Sequence, residues 1–307
     1  MEKSKLWNLL QDRTSTIYLP HKNIPFLPKI LSEGQCSLEE GKERMTFLMD
    51  VIIVDNKIDT VHFDNCLVVV KKNYVYEEKK LLKNNDYRLL HAITKKVFES
   101  PDIDSHEVVS KWMIFMNHQC AKQLDNGILR CTERNENVNP LFEYKGKYIS
   151  TKHTHTQHVP LDLDVYTHIT SPIRRIVDIL NMTSLQQKLG IYSFSKETLE
   201  LCEKWLHRIE YMNEKTSLIR KVQQQCQWIH LLKTTPNLQE EGIILEKAEL
   251  EEAMQWKYLV YFPSLNMVKN IYTIDNTKQV GQERKCNFYY FPKEISFQRK
   301  VRVEFDR

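Results

Sequence analysis

Apolar residues recur every three or four positions in four stretches of the chain, and this spacing predicts amphipathic helices. The stretches are residues 77–98, 105–124, 172–189 and 195–233. The last of them begins at a serine, which is a good N-cap, and is predicted to form one long helix. The third is expected to end near Gly190, because glycine readily adopts the left-handed conformation that closes many helices.

The remaining segments are rich in β-forming or turn residues. Residues 46–71 carry two runs of Val, Ile and aromatic residues around a turn at 55–57, which predicts a hairpin. Residues 243–307 contain five further runs of this kind and predict a β-rich module after a linker at 236–242. The first 44 residues are expected to be irregular, since their prolines leave few helical options.

The composition is that of a globular protein of ordinary polarity. The chain has 307 residues, enough for a sizeable core, and its 41% hydrophobic and 27% charged residues are close to average. The net charge of +4 is compatible with a nucleic-acid partner but does not by itself indicate one. Only seven glycines are present and no glycine-rich phosphate loop occurs, so nucleotide-driven chemistry has no support.

The cysteines and the lengths of the hydrophobic runs indicate the cellular compartment of the protein. The seven cysteines are odd in number and form no C-x-x-C pair, which favours free thiols in a reducing compartment. No apolar run reaches the length of about 18 residues that spans a bilayer, and the polar N-terminus does not resemble a secretion signal. We expect an intracellular protein, cytoplasmic or nuclear, with no membrane partner.

The most informative residues form the string Y-T-H-I-T-S-P-I-R-R at positions 166–175, which Asp178 follows. Pro172 pushes Ser171 out of the helical conformation, so the string marks a junction between a loop and an apolar helix. Backbone N–H groups, hydroxyls and a guanidinium converge at such a junction, and this combination suits a phosphate. The alternative interpretation is a capped helix whose arginines face water.

This string resembles the Y-T-H-F-T-S-P-I-R-R-Y-x-D signature of the RNB domain, the catalytic domain of the RNase II and Dis3 exoribonucleases. Other segments resemble the same family in the same order along the chain. They are Y-L-P at 18–20, I-P-F-L-P at 24–28, Y-E-E at 76–78 and M-I-x-x-N-x-x-x-A at 113–121. With several separate motifs in family order, chance is a poor explanation of the resemblance.

The resemblance implies an α+β fold. Residues 1–236 would form an RNB-type domain with a mostly antiparallel sheet and surrounding helices, truncated at its N-terminus. Residues 241–307 would form a small OB-like β-barrel module, which need not be complete. The activity implied is that of an RNase II-type 3′→5′ exoribonuclease, or of a C-terminal fragment of one. Such an enzyme hydrolyses single-stranded RNA and releases nucleoside monophosphates.

The resemblance also implies Mg²⁺, which the family holds in a D-x₅-D-I-D-D cluster located well before the Y-L-P segment. Only seventeen residues precede Tyr18, so the main metal ligands are expected on an upstream segment or on another subunit. Asp102 and Asp104 resemble part of the cluster, but they follow the Y-E-E segment instead of preceding Y-L-P. A helix beginning at Asp104 or Ser105 is the preferred interpretation.

Two other groups of residues have the chemistry of metal ligands. Asp162 and Asp164 would share one face of an extended segment, where they could bind a metal or simply be solvated. His153, His155 and His158 are regularly spaced, but a zinc site needs a fourth ligand and a closed geometry. We therefore assign no metal ligand in this chain.

The resemblance assigns roles to single residues. Arg174 is expected to contact the scissile phosphate, because a guanidinium supplies a fixed charge and a bidentate fork. A structural pair with Asp178 is the alternative for Arg174. The other predicted RNA-binding residues are Tyr18, Tyr76, Tyr166, Ser171 and Arg175. Structural support is expected from His158, His168 and Asp178, with Asp178 orienting Arg174.

Aromatic residues give two further expectations. Tyr76 resembles the family tyrosine that stacks on the terminal nucleotide, and its alternative is a buried tyrosine with a satisfied hydroxyl. In the C-terminal module Trp256, Tyr258 and Tyr261 are candidate stacking platforms, although about half of such rings would fill the barrel.

A second functional class stays open. The family carries an acidic pair and a His-Arg pair where this chain has Ser110–Lys111 and Met182–Thr183. These departures favour a catalytically inactive RNB-like module that binds RNA or a protein partner. The intact Arg174 favours the exoribonuclease.

Overall fold

The computed structural model describes residues 10–134 and 144–306. Its strands are, in chain order, β1 (Ile17–Leu19), β2 (Lys22–Ile24), β3 (Glu43–Val54), β4 (Lys57–Val69), β5 (Ile128–Arg134), β6 (Tyr144–Ser150), β7 (Gln239–Leu250), β8 (Gln255–Phe262), β9 (Met267–Thr273), β10 (Glu283–Tyr290) and β11 (Val301–Phe305). Its α-helices are α1 (Lys79–Leu82), α2 (Asn85–Val97), α3 (Ser105–Gln123), α4 (Ile176–Lys188), α5 (Lys196–Leu206) and α6 (Ile209–Thr234).

The chain divides into two compact units. Unit 1 contains the described residues up to Thr16, together with Pro25–Cys131 and Tyr148–Met212. Unit 2 contains Ile17–Ile24, the described residues between 132 and 147, and the described chain from Asn213 onward. The division along the C-terminal half therefore falls within α6, earlier than the linker predicted at 236–242, whose residues from Gln239 onward belong to β7.

Strands β3 and β4 form the hairpin that the alternation of apolar residues predicted. They pair antiparallel over their whole length, with one irregularity at Ile52 and Ile53. Asp55 and Asn56 make the turn with φ values of 51° and 62°. Two consecutive left-handed residues match the right-handed twist of the strands, and Asp and Asn tolerate that conformation.

Two helices replace the single one predicted over residues 77–98. Asn84 begins the second of them, α2, because its side chain accepts a hydrogen bond from the Tyr87 N–H. Helix α3 agrees with its prediction, and it opens with a capping box. The Asp104 side chain accepts from the Glu107 N–H, and the Glu107 carboxylate accepts from the Asp104 N–H. Asp104 is thus a helix cap, as the sequence indicated.

Helix α4 ends at the predicted glycine. Gly190 has a φ of 69°. Its N–H donates to the Gln187 carbonyl, and the Ile191 N–H donates to the Gln186 carbonyl. This pair of bonds is a Schellman motif, which satisfies carbonyls that the last turn of a helix leaves without partners.

The long helix predicted over residues 195–233 is in fact two helices, α5 and α6, and that prediction was wrong. Trp205 at the end of α5 and Ile209 at the start of α6 both lie in one buried cluster. The apolar spacing therefore continues through the break, and periodicity alone could not detect it. At the break the Arg208 guanidinium lies 4.7 Å from the Trp205 ring and 4.3 Å from the Tyr211 ring.

The main core of unit 1 gathers around the apolar face of α4. The buried residues of this cluster are Leu10, Phe26, Leu27, Ile128, Tyr148, Ile176, Val177, Leu180, Trp205, Ile209 and Met212. They come from the N-terminal segment, β5, β6, α4, α5 and α6. Helix α4 is therefore fixed on several sides, which makes it a firm base for the loop that precedes it.

Unit 2 is built on a five-stranded antiparallel sheet with the strand order β11-β10-β7-β8-β9. Its core contains Trp228 from α6, whose ring stacks 4.9 Å from Phe288 and meets Phe262 edge-on at 5.7 Å. Gly242 in β7 is needed for this packing, since a Cβ there would come within 2.4 Å of the Val260 side chain. The sheet and its strands agree with the OB-like module predicted from the sequence.

The three aromatic candidates in this module have different surroundings. Tyr258 is fully buried, and its hydroxyl donates to the Asp275 carbonyl at 3.0 Å. It fills the core and cannot be a stacking platform, which corrects that prediction. Trp256 and Tyr261 are half-buried, and the Lys247 ammonium lies 4.6 Å from the centre of the Trp256 ring.

The fold class is α+β, as predicted. Sheets β1–β2 and β3–β4 are antiparallel, as is the five-stranded sheet, and the helices pack beside them. Within the described residues, none of the helices combines the length and the apolar character needed to cross a membrane.

Candidate functional site

The segment at 166–175 is held in place by a buried asparagine on α3. Asn117 accepts a hydrogen bond from the Ile169 N–H at 3.1 Å and donates to the Tyr166 hydroxyl at 2.9 Å. It is only 1% exposed. This residue belongs to the M-I-x-x-N motif, and the structure gives that motif its physical role of anchoring the signature.

A second buried asparagine, Asn181 on α4, holds the same segment from another side. Its amide nitrogen donates to the Thr167 hydroxyl at 2.7 Å, to the His168 carbonyl at 3.1 Å and to the Ile128 carbonyl at 2.9 Å. Its amide oxygen accepts from the Ile128 N–H at 2.8 Å. A buried network in which each polar atom of Asn181 has partners is rigid, so it holds Thr167 and His168 in place.

Asp178 locks the end of the segment through Arg175. The carboxylate accepts from Nε and Nη2 of Arg175, at 2.6 and 2.8 Å, and from the Ser171 N–H at 2.8 Å. Asp178 is fully buried. The expectation that Asp178 orients Arg174 is therefore corrected, because Arg175 is one step closer to the helix and its guanidinium reaches the carboxylate in a bidentate pair.

This pairing leaves the two neighbouring arginines with different surroundings. The main chain of Arg174 is tied to the N-terminal segment, since its carbonyl accepts from the Thr16 N–H at 2.9 Å. The Arg174 side chain is exposed, whereas Arg175 is largely enclosed. Of the two, Arg174 is the one whose guanidinium is available to a ligand.

Arg174 lines a large cleft in unit 1, with a volume of about 1780 Å³. Ser171 lines it too, as do residues of the β3–β4 hairpin, α3 and α4. A second arginine of the lining, Arg44, is committed to structure, because Nε donates to the Ser37 carbonyl at 2.7 Å and Nη2 to the Gly34 carbonyl at 3.0 Å. The cleft is large enough to hold several groups of a polymeric ligand.

His168 of the signature string is largely buried, close to several arginines. Burial lowers the pKa of His168 well below its usual value, and the nearby charges of Arg175, Arg130 and Arg174 lower it further. His168 shares a hydrogen bond of 2.9 Å with the Tyr148 hydroxyl. Arg175 is paired with Asp178 and Arg130 is buried, so of these three arginines it is Arg174 that lines the cleft.

Tyr166 is a buried residue of the signature string. It is 5% exposed, its hydroxyl is bound to Asn117, and the His158 ring meets it edge-on at 5.0 Å. The prediction that Tyr166 binds RNA is therefore corrected to a structural role. The rings of His158 and His168 both meet the Tyr166 ring edge-on, and their supporting role stays a prediction.

The two other predicted tyrosines are exposed but are absent from the lining of the cleft. Tyr76 is 45% exposed and stacks on His106 with ring centres 3.6 Å apart. Tyr18 is 44% exposed and belongs to unit 2, where its N–H donates to the Gln223 side chain. The structure gives both rings a free surface, and their contact with RNA stays a prediction.

The acidic and histidine groups do not form a metal site. In the described part of the chain no three His, Cys, Asp or Glu side chains come together in a way that could hold an ion. Asp164 pairs with His118 at 2.9 Å, and Asp162 lies in a left-handed turn, so the extended strand expected for them is interrupted. Within these residues the donor set does not fit Mg²⁺, which needs carboxylates close together.

The sequence analysis missed Asn181 and the pairing of Arg175 with Asp178. A polar residue in the middle of an apolar helix is a usable signal for Asn181, because a buried amide needs partners. The three-residue spacing of Arg175 and Asp178 on a helix was a signal for their contact. Spacing alone could not decide between two adjacent arginines.

Comparison with known proteins agrees with this geometry. The family model of the RNB domain matches residues 1–88. Exoribonuclease 2 of Cronobacter sakazakii is 40% identical over 79 residues, which are 25% of this chain and 12% of that protein. Ribonuclease R of Mycoplasmopsis pulmonis is 32% identical over 93 residues, 30% of this chain and 13% of that protein. The matches thus span about an eighth of the length of these relatives.

Solved structures extend the likeness to almost the whole chain. Mycoplasma genitalium RNase R in complex with ribose-methylated single-stranded RNA has a TM-score of 0.70 at 15% identity, over 99% of this chain and 64% of that one. The active-site mutant of Dss1 exoribonuclease from Candida glabrata has a TM-score of 0.71 at 16% identity, over 98% and 48%. Yeast Ssd1, a pseudonuclease, has a TM-score of 0.65 at 15% identity, over 94% and 47%.

These findings define an RNB-type protein. The family model over residues 1–88, the signature string and the fold of nearly the whole chain are all similar to RNB exoribonucleases.

Proposed function

We propose that this chain binds single-stranded RNA in the cleft of unit 1 and forms the phosphate-binding part of an RNase II-type 3′→5′ exoribonuclease. The observation that carries the proposal is the exposed Arg174 side chain in the lining of a large cleft. A guanidinium is well suited to a phosphodiester because it remains charged and offers paired donors.

In this proposal the residues around Arg174 prepare the site before RNA arrives. Asp178 holds Arg175 and the Ser171 N–H, and the two buried asparagines hold the rest of the segment. Arg174 therefore loses little backbone entropy on binding, which is the benefit of a preorganised site. Direct contacts of Ser171, Tyr18 and Tyr76 with RNA belong to the same proposal.

Hydrolysis in this family depends on a divalent metal, generally Mg²⁺. The family resemblance puts the metal ligands in an acidic cluster that precedes the Y-L-P segment, so the proposal includes an upstream segment or a partner subunit that carries them. In this proposal the chain binds the phosphate next to the bond that is cut and positions the RNA strand.

An RNA-binding titration tests the proposal. Arg174→Ala should weaken the binding of a single-stranded oligonucleotide about 10-fold and reduce the slope of log affinity against log salt by about 1, because one phosphate contact is lost. Arg88→Ala is the matched control, since this exposed arginine lies on α2 and is not part of the cleft lining. Equal affinities and slopes for all three proteins would refute the proposal.

A catalytically inactive RNA-binding module is the second candidate. The fold similarity to a pseudonuclease favours it, as does the presence of Ser110 and Lys111 on α3 where the family carries acids. The same oligonucleotide, 5′-labelled and incubated with Mg²⁺, separates the two. Progressive shortening from the 3′ end that Arg174→Ala abolishes supports the exoribonuclease, while binding without shortening supports the inactive module.

A further inference from the structure

Two aromatic side chains that follow α4 line the same cleft as Arg174. Tyr192 is 56% exposed and Phe194 is half-buried. Their ring centres lie 4.8 Å apart with an angle of 58° between the planes. Aromatic surface that faces water in a cleft is a common feature of binding sites, because a ligand that covers it gains hydrophobic and stacking energy.

Helix α4 fixes the position of this pair. The Tyr192 N–H points to the Gln186 carbonyl at 3.4 Å, and the Phe194 N–H donates to the Gln187 side chain at 3.0 Å. The Gln186 side chain accepts a hydrogen bond from Asn65 in β4 at 2.9 Å. The rings are thus attached to a helix and, through Gln186, to the hairpin.

The same helix also holds the arginine loop. Asp178 near its start locks the segment that carries Arg174, and Gln186 near its end holds the segment that carries Tyr192. These two anchors are eight residues apart, or about 12 Å along the axis at the usual rise per residue. The arginine loop and the segment with the two rings are therefore both attached to one helix, and both line the same cleft.

The rest of the lining favours a ligand with apolar faces. Phe47, Met45 and Leu67 of the hairpin also line the cleft. Met45 and Leu67 are 73% and 58% exposed. A lining with much apolar surface and few available cations suits a ligand whose charge is confined to a backbone. Single-stranded RNA has this character, because its bases are flat and apolar on their faces.

We propose that Tyr192 and Phe194 form a stacking site for the bases of the strand whose phosphate contacts Arg174. This inference rests on the proposed function, since it requires RNA in the same cleft. Stacking does not distinguish strongly between bases, so the site would take any sequence. It would prefer single strands, because the bases of a duplex are stacked on each other and offer no free face.

Oligonucleotides that carry 2-aminopurine at successive positions from the 3′ end test the site. Stacking on an aromatic ring changes the fluorescence of this base, so the wild-type protein should alter the signal at one or two positions. Tyr192→Ala should abolish that change and weaken affinity on the order of 10-fold. Tyr192→Phe should preserve both, because it keeps the ring. Leu189→Ala, an exposed apolar neighbour, is the control and should behave as wild type.

The outcomes separate this inference from the proposed function. If Arg174→Ala weakens binding but Tyr192→Ala and the double variant Tyr192→Ala/Phe194→Ala leave the 2-aminopurine signal unchanged, the stacking site is refuted and the proposed function stands. If the wild-type chain does not bind the oligonucleotide, both are refuted. Tyr192 is largely exposed, so its single variant should fold normally, and a thermal melt confirms this.

Discussion

Arg174 and Arg175 are adjacent in the chain, but their side chains have different surroundings in the structure. Arg175 forms a bidentate pair with the buried Asp178, while Arg174 is exposed to the cleft. The Arg175–Asp178 pair fixes the shape of the loop, because the Asp178 carboxylate also accepts a hydrogen bond from the Ser171 N–H. The sequence placed both arginines next to Asp178, but only the structure shows which of them reaches the carboxylate.

Removal of the Asp178 carboxylate should be costly. Asp178→Ala leaves the Arg175 guanidinium enclosed without its partner, and breaking a buried pair in this way typically costs about 3–5 kcal/mol in the free energy of unfolding. Urea denaturation measures this value. Asp102→Ala, at an exposed position, is the control and should change stability by less than about 0.5 kcal/mol. Similar values for both variants would contradict the structural role of the pair.

His168 should make stability depend on pH. An unfolded histidine has a pKa of about 6.5, whereas burial and the neighbouring arginines lower the pKa of His168 in the folded chain. Below about pH 6.5 the unfolded state therefore binds a proton that the folded state does not. Above that pH the contribution of neutral His168 to the free energy of unfolding is fully present. As the pH falls below it, this contribution decreases by up to about 1.4 kcal/mol per pH unit.

Urea denaturation between pH 7.5 and 5 compares the wild-type chain with His168→Gln. The wild type should lose more stability across this range than the variant does. His158, whose pKa is also lowered by burial, titrates in both proteins and cancels in the difference. Parallel curves would show that His168 is as easily protonated in the folded chain as in the unfolded one.

At the scale of elements, helix α4 organises the site. Asp178 near its start, Asn181 in its middle and Gln186 near its end each fix a different segment of the cleft. The apolar spacing and Gly190 were enough to predict the helix and its end. The break between α5 and α6 could not be predicted, because both helices bury residues in the same cluster.

Asn181 supplies a prediction at this scale. Asn181→Ala removes hydrogen bonds to Ile128, Thr167 and His168 and leaves buried groups without partners, so we expect the free energy of unfolding to fall by about 3 kcal/mol. Affinity for RNA should fall as well, since the segment that carries Arg174 loosens.

The control for this variant is Asn85→Ala, at an exposed position on α2. It should change stability by less than about 0.5 kcal/mol. Chemical denaturation and oligonucleotide binding on the same samples measure both effects. A stable Asn181→Ala protein with unchanged affinity would show that the asparagine does not anchor the signature.

At the scale of the whole molecule, the likeness to RNase R and Dss1 covers nearly the entire chain at 15–16% identity. A fold is preserved at this identity when the spacing of apolar residues is kept, and that is why the strands and most helices could be predicted. The roles of single rings could not be predicted in the same way. Tyr258 fills the core of unit 2 and Tyr166 that of unit 1, because burial depends on contacts between distant segments.

The central claim is that RNA lies in the cleft of unit 1 with its backbone beside Arg174. Photo-cross-linking tests it most directly, with a single-stranded oligonucleotide that carries 4-thiouridine near its 3′ end. Mass spectrometry of the digested complex should identify cross-linked peptides from residues 169–174 and 192–195, both of which line the cleft. Cross-links confined to residues 213–306 would contradict the account.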